Sequence, residues 1–398
     1  MRENGYCFGC MKPLDQEGRC PACGFDRKKY QSRGYHLPLG SVLDHGEYLI
    51  GKVLGEGGFG ITYIGLYKTL MIPVTIKEFF PKGLVRRKYS QSEQSHLVRP
   101  VSAKSEEMFR QGKRDFLQEA RVLSRFGDLD GITRTRSFFE ENGTAYLVLD
   151  YLEGVSVRDY VAVNGRMTPA ICWQILKNPM KALCRLHEND MVHQDISPDN
   201  IMINTSGKGT LIDFGTVWSA GELSDNEELA IYKRYYSAYE QLEKHGQRGP
   251  WIDVYGLCAT IYYMLTGEKP LDATERIYED TLPRLSRMGV TLDDEVEKLI
   301  MRGLVIESAD RLQSVDELYQ ALYHDSLIAF PVMMQQETKV SSFRWGGRQG
   351  RSCTLTSQME RKLDRMDARR RKRKWYPVIF GIAAAGVLFL FAMYMING

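Results

Sequence analysis

The sequence predicts an α+β fold with one small addition at each end of the chain. Residues 49–64 read as two strands around a glycine turn, and residues 109–126 repeat apolar side chains near helical spacing. The two ends differ in composition, since one carries paired cysteines and the other a long uncharged segment. A chain of 398 residues accommodates one large domain and two such additions.

The glycine turn has the spacing G-x-G-x-x-G, formed by Gly55, Gly57 and Gly60, with Gly58 also in the turn. Dinucleotide-binding folds use the same spacing to open a helix, but Ile61 and the residues after it favour strands. The pattern therefore predicts a strand, a turn and a second strand. Glycine amides approach a triphosphate closely because no Cβ intervenes, so this turn is a candidate phosphate site.

Two short motifs near the middle of the chain bring two carboxylates and one amide into a fixed order. The segment HQDISPDN contains Asp195 and Asn200, and IDFG follows with Asp213. A carboxylate such as Asp195 orients an attacking hydroxyl, whereas Asn200 and Asp213 offer the oxygen ligands that Mg²⁺ prefers. Neither motif is specific alone, but their order and spacing indicate phosphoryl transfer.

With the strand VTIK, which ends at Lys77, these motifs resemble those of protein kinases. The segments GFGITY and DISPDN are similar to the corresponding sequences of bacterial Ser/Thr kinases of the eukaryotic-like (Hanks) type. The resemblance extends over residues 46–325 and implies a two-lobed protein-kinase-like fold, with an N-lobe at 46–150 and a C-lobe at 151–325. It also implies ATP and Mg²⁺ as cofactors, hydroxyls of cytoplasmic proteins as acceptors, and autophosphorylation.

The same resemblance assigns a role to several residues of these motifs. Lys77 would clamp the α- and β-phosphates and pair with Glu119, for which a solvated surface glutamate is the alternative. Asp253 would hold the catalytic loop, which is the HQDISPDN segment at 193–200, and Arg311 would pair with Glu240. His193 would be structural. The implied nucleotide-binding residues are Gly55, Gly57, Gly58, Gly60, Thr62, Thr75, Lys77, Asp150, Leu152, Asn200 and Asp213.

Two departures from the kinase pattern form a reciprocal exchange of residue types. Most Ser/Thr kinases carry a lysine two positions after the catalytic aspartate, where this chain has Ser197. Counting back from Glu240, the position that usually holds threonine is Lys233. We hypothesise that the cation has moved from the catalytic loop to the activation segment. The alternative is that Lys233 faces solvent.

Two other departures concern regulation and peptide docking. Gln194 stands where kinases that are activated by loop phosphorylation usually carry arginine, and a neutral amide cannot clamp a phosphate dianion. The loop GELSDNEEL is already acidic, so activity without activation-loop phosphorylation is expected. Tyr239 replaces the proline that kinases usually carry, so the family pattern does not predict the detailed shape of the surface where peptide substrates dock. The connection between Lys77 and Glu119 is long, as regulatory or partly disordered connections often are.

Three functions agree with these motifs. An active protein kinase is preferred because Lys77, Asp195 and Asp213 are all present. A membrane-anchored pseudokinase scaffold is the second, supported only by Ser197 and Gln194. A small-molecule phosphotransferase is the third, although such enzymes generally lack the YEQ segment and its partners.

Four cysteines near the start form two C-x-x-C pairs with nine residues between them, namely Cys7, Cys10, Cys20 and Cys23. The four thiolates of the two C-x-x-C pairs can form a closed tetrahedral site for structural Zn²⁺, similar to a zinc ribbon. Disulfides are the alternative. We predict a zinc ribbon over residues 1–30 and a linker over 31–45.

The other end predicts a membrane anchor. The stretch from Pro377 to Ile396 has no charge over 20 residues, enough for a transmembrane helix within residues 375–396. The basic run that ends a flexible juxtamembrane linker at 326–374 would keep the kinase cytoplasmic, on a single-pass cell-membrane anchor. Gly381 and Ala385 would support helix pairing in a homodimer. The chain has a net charge of +3, and its excess of basic residues lies near this segment, so no nucleic-acid partner is expected.

Overall fold

In a computed structural model of the chain, the described residues are 5–90, 95–213, 218–219, 233–243 and 246–323. These residues divide into two compact units, one that contains residues 5–30 and one that contains the described residues from 31 to 323. The predicted linker at 326–374 and membrane helix at 375–396 lie outside the described residues, as does the acidic loop GELSDNEEL. Within the described part of the chain, no helix is both long and apolar enough to cross a membrane.

The first half of the larger unit is built on a six-stranded antiparallel sheet with the strand order β1-β2-β3-β4-β8-β7. The sheet strands are β1 (Val42–Leu43), β2 (Tyr48–Glu56), β3 (Gly60–Tyr67), β4 (Ile72–Phe79), β7 (Thr135–Glu141) and β8 (Thr144–Asp150). Alternating apolar residues such as Ile61, Tyr63, Val74 and Ile76 face the core and are fully buried.

The long connection after β4 is ordered over its described residues. It forms a hairpin of β5 (Val85–Ser90) and β6 (Ser95–Pro100), followed by helix α1 (Ala103–Leu123). The hydroxyl of Ser102 caps this helix by accepting a hydrogen bond from the Ser105 amide at 3.2 Å. Phe109 lies on the buried face of α1 and stacks on Phe79 of β4, with ring centroids 5.6 Å apart. This packing aligns α1 with the strand that carries Lys77.

Residues 31–45 differ from the linker predicted for them. Leu37 and Leu43 are 2% and 1% exposed, so this segment contributes to the core of the sheet. The amide of Gly40 donates to the carbonyl of Ile50 at 2.8 Å, and β1 pairs with β2. The large domain therefore begins before residue 46. Sequence reasoning missed this because the segment is short and has little periodicity.

The second half of the unit is mainly helical. Its helices are α2 (Val157–Asn164), α3 (Pro169–His187), α4 (Pro250–Thr266), α5 (Ala273–Arg276), α6 (Asp294–Gly303) and α7 (Val315–Tyr323). Helix α4 is apolar on nearly all sides and runs through the core, with every residue from Ile252 to Leu265 buried. It ends at Gly267, whose φ of 77° is a left-handed cap conformation.

Short strand pairs carry the polar motifs between these helices. Strand β11 (Ile201–Asn204) pairs with β12 (Gly209–Leu211) and β9 (Gly154–Ser156), and β10 (Met191–Val192) pairs with β13 (Trp218–Ser219). The HQDISPDN motif therefore occupies the loop between β10 and β11, and Asp213 follows β12. Helix α4 lies beneath this loop, so rigid elements hold the motifs.

Candidate active site

The glycine turn joins β2 and β3 as a hairpin, which confirms the strand, turn and strand prediction. Gly55 pairs with Thr62 in the register, and the Gly57 amide donates to the Gly60 carbonyl at 2.9 Å. A Cβ placed on Gly55, Gly57 or Gly58 would meet no atom within 4 Å, whereas one on Gly60 would lie 2.6 Å from the Glu78 carbonyl oxygen. The first three glycines thus border open space, while packing requires the fourth.

Lys77 and Asp213 meet although 136 residues separate them. The Lys77 ammonium donates to Oδ1 of Asp213 from its place on β4, where Lys77 pairs with Thr62 of β3. Burial lowers the pKa of Lys77, but the charges of Asp213 and Glu119 outweigh it, so the pKa is raised and the amine is charged. Asp213 is therefore its hydrogen-bond partner here, and the Lys77–Glu119 pair stays a prediction.

Asp195 and Asn200 are joined directly within the catalytic loop. The Asn200 side-chain amide donates to the Asp195 carbonyl at 2.8 Å and to its Oδ2 at 2.7 Å. The Ile212 amide donates to the Asn200 carbonyl at 2.9 Å, which links this loop to the one that carries Asp213. Asp213 has a φ of 59°, a left-handed backbone that non-glycine residues keep mainly at functional sites.

The catalytic loop is anchored to helix α4 through Asp253, as the resemblance implied. This fully buried carboxylate accepts hydrogen bonds from the backbone amides of His193 and Gln194 at 2.8 and 2.7 Å. It also contacts Nε2 of His187 at 2.8 Å, which sequence reasoning missed because one histidine at a helix end carries no motif. Burial lowers the pKa of His193 to about 4, so its ring is neutral near pH 7 and suits a structural role.

Lys233 lies against the catalytic loop rather than in solvent. Its ammonium is 2.8 Å from the Ser197 hydroxyl and 3.1 Å from Oδ1 of Asp195, and 4.0 Å from Asp199. The cation thus occupies the neighbourhood of the position where the family's lysine is missing. Burial raises the pKa of Asp195, and the Lys233 charge opposes that rise.

The segment around Glu240 is fixed by a buried ion pair with a distant motif. Both terminal guanidinium nitrogens of Arg311 donate to the carboxylate of Glu240, with Nη2 at 3.0 Å from Oε2, as the resemblance implied. Gln241, the next residue, donates to the Gln194 carbonyl at 2.9 Å. The segment with Tyr239 in place of proline is therefore tied both to the end of the domain and to the catalytic loop.

The remaining predicted nucleotide residues lie along two adjacent strands. Thr75 is two positions before Lys77 on β4 and therefore shares its face of the sheet. Asp150 ends β8, its carboxylate forms an ion pair with Arg136, and its amide donates to the Arg134 carbonyl at 3.0 Å. Leu152 follows Asp150 in the chain segment that connects the sheet to the helical half.

In the other unit, the four N-terminal cysteines converge. Their sulfur atoms all lie within 4.8 Å of one another, with Cys7–Cys23 and Cys10–Cys20 distances of 3.5 Å. The amide of Gly9 donates to the Cys7 sulfur at 3.3 Å. Contacts with Cys10 and Cys23 lower the pKa of Cys7, whereas those with Cys23 and Cys7 raise the pKa of Cys10.

Comparisons with known proteins agree with this geometry. The protein kinase domain family matches residues 48–324. Serine/threonine-protein kinase D of Synechocystis is 29% identical over 315 residues, which cover 75% of this chain and 56% of that protein. Serine/threonine-protein kinase PrkC of Bacillus subtilis is 24% identical over 69% of this chain and 39% of its own length. The chain thus spans about half the length of such curated relatives.

A solved structure supports the fold itself. The apo form of PpkA-294 is 30% identical, with a TM-score of 0.61 over 73% of this chain and 100% of that one. The sheet-rich half and the helical half of the larger unit are therefore the N-lobe and C-lobe of a protein-kinase-like fold. This chain belongs to the protein kinase family.

Proposed function

We propose that the protein is an ATP-dependent kinase that transfers the γ-phosphate to Ser/Thr hydroxyls of cytoplasmic proteins and to itself. The observation that carries this proposal is the convergence of Lys77, Asp195, Asn200 and Asp213 at one place, bordered by an open glycine turn. Phosphoryl transfer depends mainly on alignment and on charge placed around the phosphate. Each part that such alignment needs is present.

The donor set fits Mg²⁺, which would neutralise the phosphate charge when bound. Asp213 and Asn200 would hold it, because both hydrogen bonds from the Asn200 side chain use Nδ2 and leave Oδ1 for a cation. Asp195 would accept the proton of the substrate hydroxyl, and burial raises its pKa toward that of a usable base. Lys77 would orient the α- and β-phosphates.

The proposal is tested by incubating the full chain with Mg-ATP and protein acceptors, beside an Asp213→Ala variant and a matched Asp128→Asn surface control. We expect the wild type and the control to incorporate phosphate on serine or threonine, and Asp213→Ala to lose about 100-fold or more of that activity. Equal incorporation by Asp213→Ala would exclude this active site. Binding of ATP without any transfer would favour the pseudokinase alternative.

The identity of the phosphate acceptor distinguishes a protein kinase from a small-molecule phosphotransferase. The buried Glu240–Arg311 pair supports a protein substrate, because it shapes the segment where kinases of this family dock peptides. Transfer to choline or an aminoglycoside antibiotic, with none to protein, would replace the first proposal.

We further propose that Lys233 supplies the cation that most Ser/Thr kinases carry at the position of Ser197. Its ammonium contacts both the Ser197 hydroxyl and the Asp195 carboxylate, which supports a role beside the transferred phosphate. Removal of one preorganised positive group from such a site costs about 100- to 1000-fold in turnover.

A residue exchange tests this assignment. We expect Lys233→Thr to lose about 100-fold or more of phosphoryl transfer, and the double variant Lys233→Thr/Ser197→Lys to recover at least tenfold, since the cation returns to the loop. Lys298→Thr, which removes an exposed lysine from α6, is the matched control. Near-wild-type transfer by Lys233→Thr would remove the assignment.

For the N-terminal module, we propose a structural zinc ribbon. Tetrahedral zinc with Zn–S bonds of about 2.3 Å places its sulfurs about 3.8 Å apart, close to the 3.5–3.6 Å contacts of the cluster. A segment this short buries little core, so the metal would supply most of its folding free energy.

For the C-terminal segment, we propose a single-pass cell-membrane anchor that leaves the kinase cytoplasmic and supports a homodimer. The support is its uncharged length and the basic run before it. Recovery of the full chain, but not of residues 1–374, in the membrane fraction is the expected result. Equal solubility of the two would contradict the anchor, and an unchanged monomer mass in micelles would contradict the homodimer.

A further inference from the structure

The glycine turn contains one acidic residue, Glu56, between Gly55 and Gly57. Its side chain is only 18% exposed, because four groups surround the carboxylate. Arg33 forms an ion pair with Oε1, and Lys82 approaches the same atom at 3.5 Å. The Tyr35 hydroxyl and Nε2 of His36 each lie 3.0 Å from Oε2.

Three of these groups belong to one short segment, residues 33–37, which we call the strap. The strap is itself firmly packed on the sheet. Leu37 is buried, and its amide donates to the Tyr63 hydroxyl at 3.0 Å. The Tyr35 ring stacks on Phe80 with centroids 5.6 Å apart, and its carbonyl accepts from Nε of Arg87 at 2.6 Å.

The strap is also connected to the strand that carries Lys77. The Tyr63 hydroxyl that receives the Leu37 amide donates to Oε2 of Glu78 at 3.1 Å, and Glu78 is the neighbour of Lys77. Glu78 forms a fully buried ion pair with Arg87 at 2.5 Å. These contacts therefore join the strap both to the glycine turn and to strand β4, which carries Lys77.

A carboxylate in this turn has an electrostatic consequence for a bound triphosphate. Gly55, Gly57 and Gly58 border the open space proposed for the phosphates, so a bare negative charge among them would repel the ligand. Arg33 and Lys82 offset that charge. Burial raises the pKa of this carboxyl, but the hydrogen bonds from His36 and Tyr35, together with the charges of Lys82 and Arg33, outweigh burial and keep the pKa low.

We propose that the strap is a positioning element for the nucleotide: it holds the glycine turn through Glu56, and Arg33 neutralises a carboxylate that would otherwise repel the triphosphate. This inference rests on the proposed function, because it takes ATP as the ligand of the turn. Arg33 and Glu56 act here through the glycine backbone and through charge, without touching the reacting atoms.

The experiment measures the Kd of a fluorescent ATP analogue with Mg²⁺, together with KM for ATP and kcat, on the full chain. Arg33→Ala leaves Glu56 with less compensation, so we expect Kd and KM to rise about tenfold while kcat changes less than twofold. The double variant Arg33→Ala/Glu56→Gln removes the carboxylate as well and is expected to recover most of that loss. The increase in Arg33→Ala should shrink in about 0.5 M salt, since salt screens charges.

The exposed Arg185–Glu188 pair on α3 provides matched controls, Arg185→Ala and Glu188→Gln, which should leave Kd, KM and kcat unchanged. An unaltered Kd in Arg33→Ala, a decrease in Kd, or equal losses in the single and double variants would overturn the inference. If Arg33→Ala lowers the thermal unfolding midpoint, the Kd of Glu56→Gln decides instead. The inference expects removal of the carboxylate not to weaken nucleotide binding, and a higher Kd in Glu56→Gln would overturn it. A wild type that binds nucleotide without transferring phosphate would refute only the kinase proposal, and the Kd comparison would stand.

Discussion

The pKa of Asp195 is set by two opposing effects. Burial disfavours its charged form, whereas the Lys233 ammonium 3.1 Å away favours it, and the pKa stays above the usual aspartate value. His193, two positions earlier, is buried and neutral, so it adds no charge to the site near pH 7. The ionisation of the proposed base therefore depends on Lys233.

A pH profile tests this dependence. If Asp195 is the base, its ionised form is the active one, and kcat/KM falls as the pH drops through its pKa. Removal of the cation in Lys233→Met raises that pKa, so we expect the acid limb of the residual activity to move to higher pH. Lys298→Met should keep the wild-type limb. An acid limb at the same pH in Lys233→Met and wild type would show that Lys233 does not tune Asp195.

At the scale of elements, the β2–β3 hairpin combines open and tightly packed glycines. The strap holds it through Glu56. The chain just after β4 also holds it, since the Lys82 amide donates to the Gly58 carbonyl at 2.8 Å and the Phe80 amide donates to the Phe59 carbonyl at the same distance. The turn is therefore bound at its base, while Gly57 and Gly58 still border open space. Such an arrangement presents backbone amides to a ligand without losing its register.

Alanine substitutions separate the two kinds of glycine. Gly60→Ala places a methyl group 2.6 Å from the Glu78 carbonyl oxygen, so we expect β3 and β4 to separate locally and the free energy of unfolding to fall by about 1–3 kcal/mol. Gly58→Ala meets no atom within 4 Å and should leave stability within about 0.5 kcal/mol. Urea unfolding measures both changes. Equal stability of the two variants would contradict this account of the turn.

At the scale of the whole molecule, the chain joins a kinase domain to a cysteine module with a different source of stability. The kinase domain buries a large apolar core around α4, whereas the module converges on four sulfurs. We expect its folding to depend on metal and that of the kinase domain to depend on packing.

Metal analysis of the purified full chain tests this division. We expect about one zinc per chain by mass spectrometry, and loss of it in Cys20→Ser, because a tetrahedral site requires all four thiolates. Cys184→Ser removes a half-buried thiol of α3 outside the cluster and should retain the zinc. Zinc content unchanged in Cys20→Ser, or absent from the wild type, would contradict the ribbon.

The sequence by itself determined the kinase fold and the roles implied for Asp253, Glu240 and Arg311, because motif spacing encodes loops that rigid elements must hold in one place. The exchange of residue types left open whether Lys233 faces the catalytic loop or solvent, and only the tertiary structure decided where Lys233 and residues 31–45 lie. Lys233 reaches Ser197 across 36 residues, and Arg33 reaches Glu56 from a segment that resembles a linker. Such contacts depend on how separate elements pack, and no local periodicity or spacing records that packing.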